Sequence, residues 1–290
     1  MAFVKLQTRP FVESLAARLA NEPSREPQFY WLGQAGFVLD VGGRRLVIDP
    51  YLSDSLAEKY RGKAFSHERM MAAPIAADAL RQVDLVLSSH AHTDHMDPAT
   101  LRPLLASQGH ALFVAPAGAG DEALARSDVC ASRLLALDAG ETAAPLPGVR
   151  IIATRAAHET LERDAAGKHR FLGYLIEAQG VRIWHSGDCV PFDGLEEELR
   201  ALAPDVALLP VNGRRPELSA KSVAGNFSLE EAISLTRAIG AKTMVAHHYG
   251  MFVFNTADPQ AIDLSAAQTL APQILRARTG VAYSVVGGFA

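Results

Sequence analysis

The sequence predicts an α/β fold in which two mixed β-sheets pack face to face with helices outside. Short runs rich in β-branched and aromatic residues outnumber the helical patterns. They open as antiparallel hairpins and later alternate with helices, an order that stacked sheets satisfy. The histidines and acids of ligand character fall just beyond strand ends, where one edge of a layered fold gathers its site.

In chain order, Phe11 to Ala20 carries Phe11, Leu15 and Leu19 at helical spacing and predicts an amphipathic helix, broken by Pro23 and Pro27. Gln28 to Leu32 and Phe37 to Val41 read as strands joined through Gly33 and Gly36. Gly42-Gly43 then turns the chain into a third strand, Arg45 to Ile48. Residues 51 to 74 show no period. A loop of that length is usually functional, and it carries Lys59, Arg61, Lys63, His67 and Arg69, which suit an anionic ligand. A short helix follows at Ala76 to Arg81, then a strand at Asp84 to Ser88. Asp97 before Pro98 marks a helix start.

Leu112 to Ala115, Asp121 to Arg126 and Arg133 to Leu137 read strand, helix, strand. Val149 to Thr154 runs into His158. Phe171 to Glu177 and Val181 to His185 form a hairpin that ends in Ser186-Gly187-Asp188. A helix at Leu195 to Leu202, a strand at Val206 to Val211 and a polar loop from Asn212 to Phe227 come next. Ser228 with Glu231 is a capping box opening a helix to Ile239. Strand Lys242 to Ala246 delivers His247-His248-Tyr249, a last helix lies within 258 to 277, and Val281 to Val286 is a final strand. With no repeat and no linker, residues 1–290 are expected to form a single domain.

Composition narrows the function. Charged residues are 21% and apolar ones 49% of 290 residues, and the net charge is -4 with scattered basic residues. That excludes the clustered basic face of a nucleic-acid binder. Cys130 and Cys189 make no disulfide framework, Arg9, Glu13 and Arg18 interrupt any signal-like run, and no apolar stretch reaches membrane-span length. A cytoplasmic protein with no membrane partner is expected; self-association is left open.

The chemistry concentrates in Ser89-His90-Ala91-His92-Thr93-Asp94-His95-Met96-Asp97-Pro98. In an extended segment His90 and His92 project to one side and can grip a cation together, while Asp94 and His95, after a change of direction, face a second. Imidazole and carboxylate suit zinc, manganese or iron, and the absence of thiolates argues against a structural zinc site.

The pattern His90-x-His92-x-Asp94-His95, followed by His158, Asp188 and His248, resembles the metallo-β-lactamase superfamily along nearly the whole chain. The resemblance implies a four-layer αβ/βα sandwich and two divalent cations, Zn²⁺ or Mn²⁺. His90, His92 and His158 would hold the first; Asp94, His95 and His248 the second; Asp188 would bridge them. Asp49 matches the family's buttressing acid and would orient ligands by hydrogen bonds. His248, directly before Tyr249, is the ligand position; His247 would support it from behind or pack. Trp31-Leu32-Gly33-Gln34-Ala35-Gly36-Phe37, Ile48-Asp49-Pro50-Tyr51-Leu52-Ser53-Asp54, His67-Glu68-Arg69-Met70-Met71, Asn212-Gly213-Arg214 and His248-Tyr249-Gly250-Met251-Phe252 look like the branch that contains L-ascorbate-6-phosphate lactonase.

Two cations about 3.5–4 Å apart can share a water and bring its pKa from 15.7 towards 7, giving a hydroxide at neutral pH. Asp94 would orient that water or take its proton, as the catalytic carboxylate. The expected function is a metal-dependent hydrolase of a small anionic substrate, a phosphorylated sugar-derived lactone first. Arg69, Arg214, Arg215, Lys221 and Asn226 are the candidates for binding its phosphate. The alternatives are a metal-dependent phosphodiesterase and a metal-binding scaffold without turnover. The related lipase-like branch has a histidine where Gln34 stands.

Overall fold

A computed structural model describes residues 4–287. The three residues at each end of the predicted 1–290 domain lie outside the described residues. The first half runs β1 (Lys5–Pro10), α1 (Leu15–Leu19), β2 (Gln28–Gly33), β3 (Gly36–Val41), β4 (Arg44–Ile48), α2 (Ser55–Lys59), β5 (Leu85–Leu87), α3 (Pro98–Ser107), β6 (Leu112–Pro116), α4 (Gly120–Ser127) and β7 (Leu134–Leu137). The second runs β8 (Thr142–Leu146), β9 (Val149–Arg155), β10 (Leu172–Ala178), β11 (Val181–His185), α5 (Leu195–Leu202), β12 (Val206–Pro210), α6 (Pro216–Ser219), α7 (Leu229–Ala238), β13 (Thr243–His247), α8 (Pro259–Gln268), β14 (Gln273–Arg276) and β15 (Val281–Val286).

The strands form two mixed sheets, ordered β1-β15-β2-β3-β4-β5-β6-β7 and β14-β13-β12-β11-β10-β9-β8. Side chains alternate between the faces of a strand, and this alternation builds the layers. Phe29, Trp31, Phe37, Leu39, Leu46, Ile48, Leu85 and Leu87 point into the core shared with Leu175, Leu208 and Val245 of the other sheet. Their neighbours Tyr30, Val38, Val47 and Val86 point the other way, against Leu101 and Leu104 of α3 and Leu19 of α1. On the far side α7 packs on β12 and β13, and α8 on β14. The expected two sheets flanked by helices are the observed architecture.

Register decides where the site sits. β4 and β5 run parallel with Ile48 beside Leu87, so Asp49 and Ser89 leave the sheet at the same edge. β11, β12 and β13 are also parallel, with His185 beside Leu208 and Pro210 beside His247. β9 and β11 both pair antiparallel with β10 and therefore point the same way. β4, β5, β9, β11 and β13 are each followed within three residues by a residue of the candidate site: Asp49, His90, His158, Asp188 and His248.

Several predicted elements need correction. The helix over Phe11 to Ala20 is only Leu15–Leu19, begun by the Ser14 cap, because the amide of Phe11 is bonded to Gly280 O and stays with the sheet. The helix at Ala76 to Arg81 is a single 3₁₀ turn, Ala77–Ala79. The helix expected within 258 to 277 is there, at Pro259–Gln268, but an unpredicted strand, β14, follows Pro272, whose ring removes a helical donor. β1, with only Leu6 buried, and β8 showed no apolar alternation; they exist through pairing with β15 and β9. The loop from 51 to 74 contains the short α2, and 212–227 the short α6.

Candidate metal centre

The segment after β5 is not extended: it coils, with the amides of His95 and Met96 both donating to His92 O. The coil nevertheless brings His90 and His92 together with His158, their ligand atoms within 4.8 Å of one another. Asp94, His95 and His248 form a second such group, and His90, His95 and Asp188 a third. Asp188 stands between them. Its Oδ1 lies 3.4 Å from His95 Nε2 and 3.2 Å from His248 Nε2, while Oδ2 faces His158 Nε2 at 3.9 Å.

Backbone geometry places that carboxylate. Gly187 has φ +62°, and a Cβ there would lie 2.6 Å from Leu172 O and 2.8 Å from Ser89 Cβ. Only glycine lets Asp188 approach the histidine loop so closely. The Gly187 amide donates to His185 Nδ1 at 3.0 Å, and His185 Nε2 reaches Ala35 O at 2.8 Å. His185 is thus a neutral brace for the Asp188 turn. The loop carrying His158 is pinned by Asp138, which accepts from the amide and Nδ1 of His169 at 2.9 and 2.7 Å. It docks against Gly118, where a Cβ would sit 2.6 Å from two carbonyl oxygens.

Asp49, the acid expected to orient ligands, is fully buried beneath the histidine loop. It accepts from the Ser89 amide at 2.7 Å and the Ser89 hydroxyl at 2.6 Å, and its Oδ2 lies 2.8 Å from His95 Nδ1. That bond places the proton on Nδ1 and leaves Nε2 facing the cluster. Gln34 is the partner of Asp94: its Nε2 donates to Asp94 Oδ2 at 2.8 Å and stands 3.1 Å from His248 Nε2. His248 in turn donates its amide to Gln34 O.

The electrostatics set neutral imidazoles beside ionised carboxylates. Burial, and then the neighbouring His95 and His92, push His90 well below its ordinary range. Burial opposes charge on His95 too, but Asp188, Asp94 and Asp49 outweigh it and raise that imidazole well above the usual value. Burial brings His158 down to about 4. Asp188 stays ionised against its burial because His248 and His95 face it. The buried Nε2 atoms of His90 and His95 and Oδ1 of Asp188 have no hydrogen-bond partner. Buried polar atoms rarely go unpaired, and imidazole and carboxylate are suitable donors for divalent cations. The donor set fits a metal.

Residues 44–249 match the β-lactamase superfamily domain. The chain belongs to that superfamily. A UPF0173 metal-dependent hydrolase of Cupriavidus necator is 30% identical over 218 residues, 70% of either chain. A metallo hydrolase from the archaeon Ignicoccus hospitalis has the same fold, with TM-score 0.65, 21% identity, and 90% of this chain and 98% of that one covered. A possible metal-dependent hydrolase from Veillonella parvula covers 89% and 98%, with TM-score 0.70 and 16% identity. This metallo-β-lactamase superfamily member is accordingly a metal-dependent hydrolase.

Its site opens into a cavity of about 610 Å³ lined by His92, Asp94, His158, Asp188 and His248. Among the five candidate phosphate ligands, Lys221 alone lines it. Arg69 is buried beneath the loop, donating to the carbonyls of Met71, Tyr51 and Ser53. Arg214 is engaged by Glu231 and Asn226 O, and Arg215 by Thr256 O. Asn226 donates to Asn212 within the protein. These three arginines and one amide hold loops together instead of facing the cavity. His247 does not support His248 by a hydrogen bond either; both its ring nitrogens lack partners, and it packs on His185 and Phe37. Lys59 and Lys63, expected to meet an anionic ligand, do line the cavity, and so do Arg126 and Gln34, which the sequence did not single out as site residues. For Gln34 the signal was present: it lies in the glycine-flanked Trp31 to Phe37 segment.

Proposed function

We propose that the protein hydrolyses a small lactone or ester carrying an anionic group, using two divalent cations, Zn²⁺ or Mn²⁺. The observation that carries this reading is the position of Asp188, with one oxygen towards His95 and His248 and the other towards His158. That position supports a reading with two cation positions sharing one carboxylate. A divalent cation bound there lowers the pKa of water towards about 7 and polarises a carbonyl or phosphoryl oxygen.

The chain's own groups do the rest. Asp94, restrained by the Gln34 amide, lines the cavity and is the carboxylate positioned to accept a proton from water. Burial raises its pKa, but His95, His248 and Gln34 outweigh this and keep it ionised, as a proton acceptor must be. Lys59, Lys63 and Lys221 at the exposed side of the cavity supply positive charge for an anionic substituent.

The test is steady-state kinetics on purified protein before and after chelation, with a panel of lactones, esters and bis(p-nitrophenyl) phosphate. Lactone or ester turnover should vanish on chelation and return with zinc or manganese. Full turnover by verified metal-free protein would falsify the mechanism, and turnover of the phosphodiester alone would make the protein a phosphodiesterase.

A further inference from the structure

One wall of the cavity is made of rings from two segments far apart in sequence. Tyr60 stacks on His67 with centroids 4.3 Å apart, and His67 meets Phe252 and Phe254 edge-on at 5.0 and 4.7 Å. Phe65 leans on Phe254 at 4.8 Å. All five rings line the same cavity as Asp94 and His248. The wall is held in a conformation that costs energy: His67 has φ +53°, uncommon for a residue with a Cβ, and its Nδ1 is bonded to Phe65 O at 2.7 Å. Burial keeps the His67 ring towards its neutral form. Phe65, His67 and Phe254 nonetheless remain partly exposed.

Beside the rings stand the cations. Lys59 Nζ is 5.1 Å from the Tyr60 ring and Lys221 Nζ 5.5 Å from Phe65. Lys63 lines the cavity with them. Among the described residues, none of the three has an acid within ion-pair distance. Exposed lysines with no partner are ordinary on a surface. Three on the lining of one cavity, next to partly exposed rings, make a complementary pair of surfaces.

We infer that this cavity selects a substrate with a flat, apolar ring and an anionic substituent, the ring lying on Phe65, His67 and Phe254 and the anion meeting Lys63 and Lys221. This rests on the hydrolase reading above and narrows its substrate class. Flat rings gain from offset or edge contact with other rings. A sugar body would instead set its hydroxyls against a wall that offers few partners, at a desolvation cost. The phosphorylated sugar lactone expected from the sequence is therefore the poorer fit.

Calorimetric titration of the metal-loaded protein with naphthalene-2-sulfonate, methanesulfonate and 2-naphthol separates the two surfaces. Sulfonates are weak metal ligands, so the anion reports on the lysines. Naphthalene-2-sulfonate should bind about tenfold more tightly than either fragment probe. Phe65→Leu and Phe254→Leu, which keep an apolar side chain without a π face, should bring it down towards methanesulfonate. Lys63→Ala combined with Lys221→Ala should bring it down towards 2-naphthol. Equal binding of all three probes to the wild type, or an advantage that survives both sets of substitutions, overturns the inference. Metal-dependent ester turnover with no ring preference would remove this inference and leave the hydrolase reading intact. Ring- and lysine-dependent binding without turnover of any ester would do the reverse.

Discussion

Asp49 Oδ2 lies 2.8 Å from His95 Nδ1, both side chains closed off from solvent, although 46 residues separate them in sequence. The parallel pairing of β4 with β5 creates this contact, because it carries the two strand ends to the same edge. Asp49 thereby sets which nitrogen of His95 is free for a cation. Asp49→Ala should weaken metal retention by about 10–100-fold while leaving all the proposed ligands in place. Competition with a chromogenic chelator measures this. Unchanged affinity would show that His95 is oriented by packing alone.

The two oxygens of Asp188 face different histidines, so its loss should be felt on both sides. Asp188→Ala is expected to lower the metal content of both positions, whereas His248→Ala should chiefly empty one. Elemental analysis after gel filtration distinguishes the cases. Two tightly held metals in Asp188→Ala would end the bridging role.

Asp40 and Arg45 form a buried pair, Nε to Oδ1 at 2.8 Å and Nη2 to Oδ2 at 3.0 Å. The guanidinium also donates to Leu19 O and Arg81 O, fastening α1 and the approach to β5 onto the first sheet. Removing the carboxylate alone strands a buried charge. Asp40→Ala should cost about 3–5 kcal/mol, and Asp40→Leu combined with Arg45→Met should lose less than the single change. Urea unfolding curves give both values; a double variant no better than Asp40→Ala would contradict the argument.

Asp138 governs an acid-sensitive part of the stability. Burial works against its charge, but the His169 amide and imidazole and the Ala139 amide outweigh it and hold the carboxyl at about 2 against 3.8. A depressed carboxyl stabilises the fold above its unfolded pKa, and that contribution is lost as pH falls from about 4 towards 2. Solvent screening at this partly exposed loop trims it to about 1 kcal/mol. Wild type and Asp138→Asn should therefore differ by a constant amount at pH 7 and pH 5 and by less at pH 3, in unfolding monitored by circular dichroism. A gap that widens on acidification has the wrong sign.

The sequence by itself determined the layered α/β class and the grouping of His90, His92, Asp94 and His95, because strand alternation and ligand spacing are local signals. It also marked His158, Asp188 and His248 through a family resemblance, each just beyond a strand. Tertiary structure decided what those signals could not carry. Pairing across the sheets made strands of β1, β8 and β14, whose own residues barely alternate. It buried Arg69 under backbone carbonyls and tied Arg214 to Glu231, since an arginine's partner is whichever oxygen folding brings near, not one its loop can announce. It set Phe65 and His67 against Phe252 and Phe254 across more than 180 residues of chain, an encounter that depends on the sheet edges converging. Ligand identity was legible because metal chemistry restricts residue type. The shape of the cavity was not, because any apolar or cationic side chain can serve until the fold selects its neighbours.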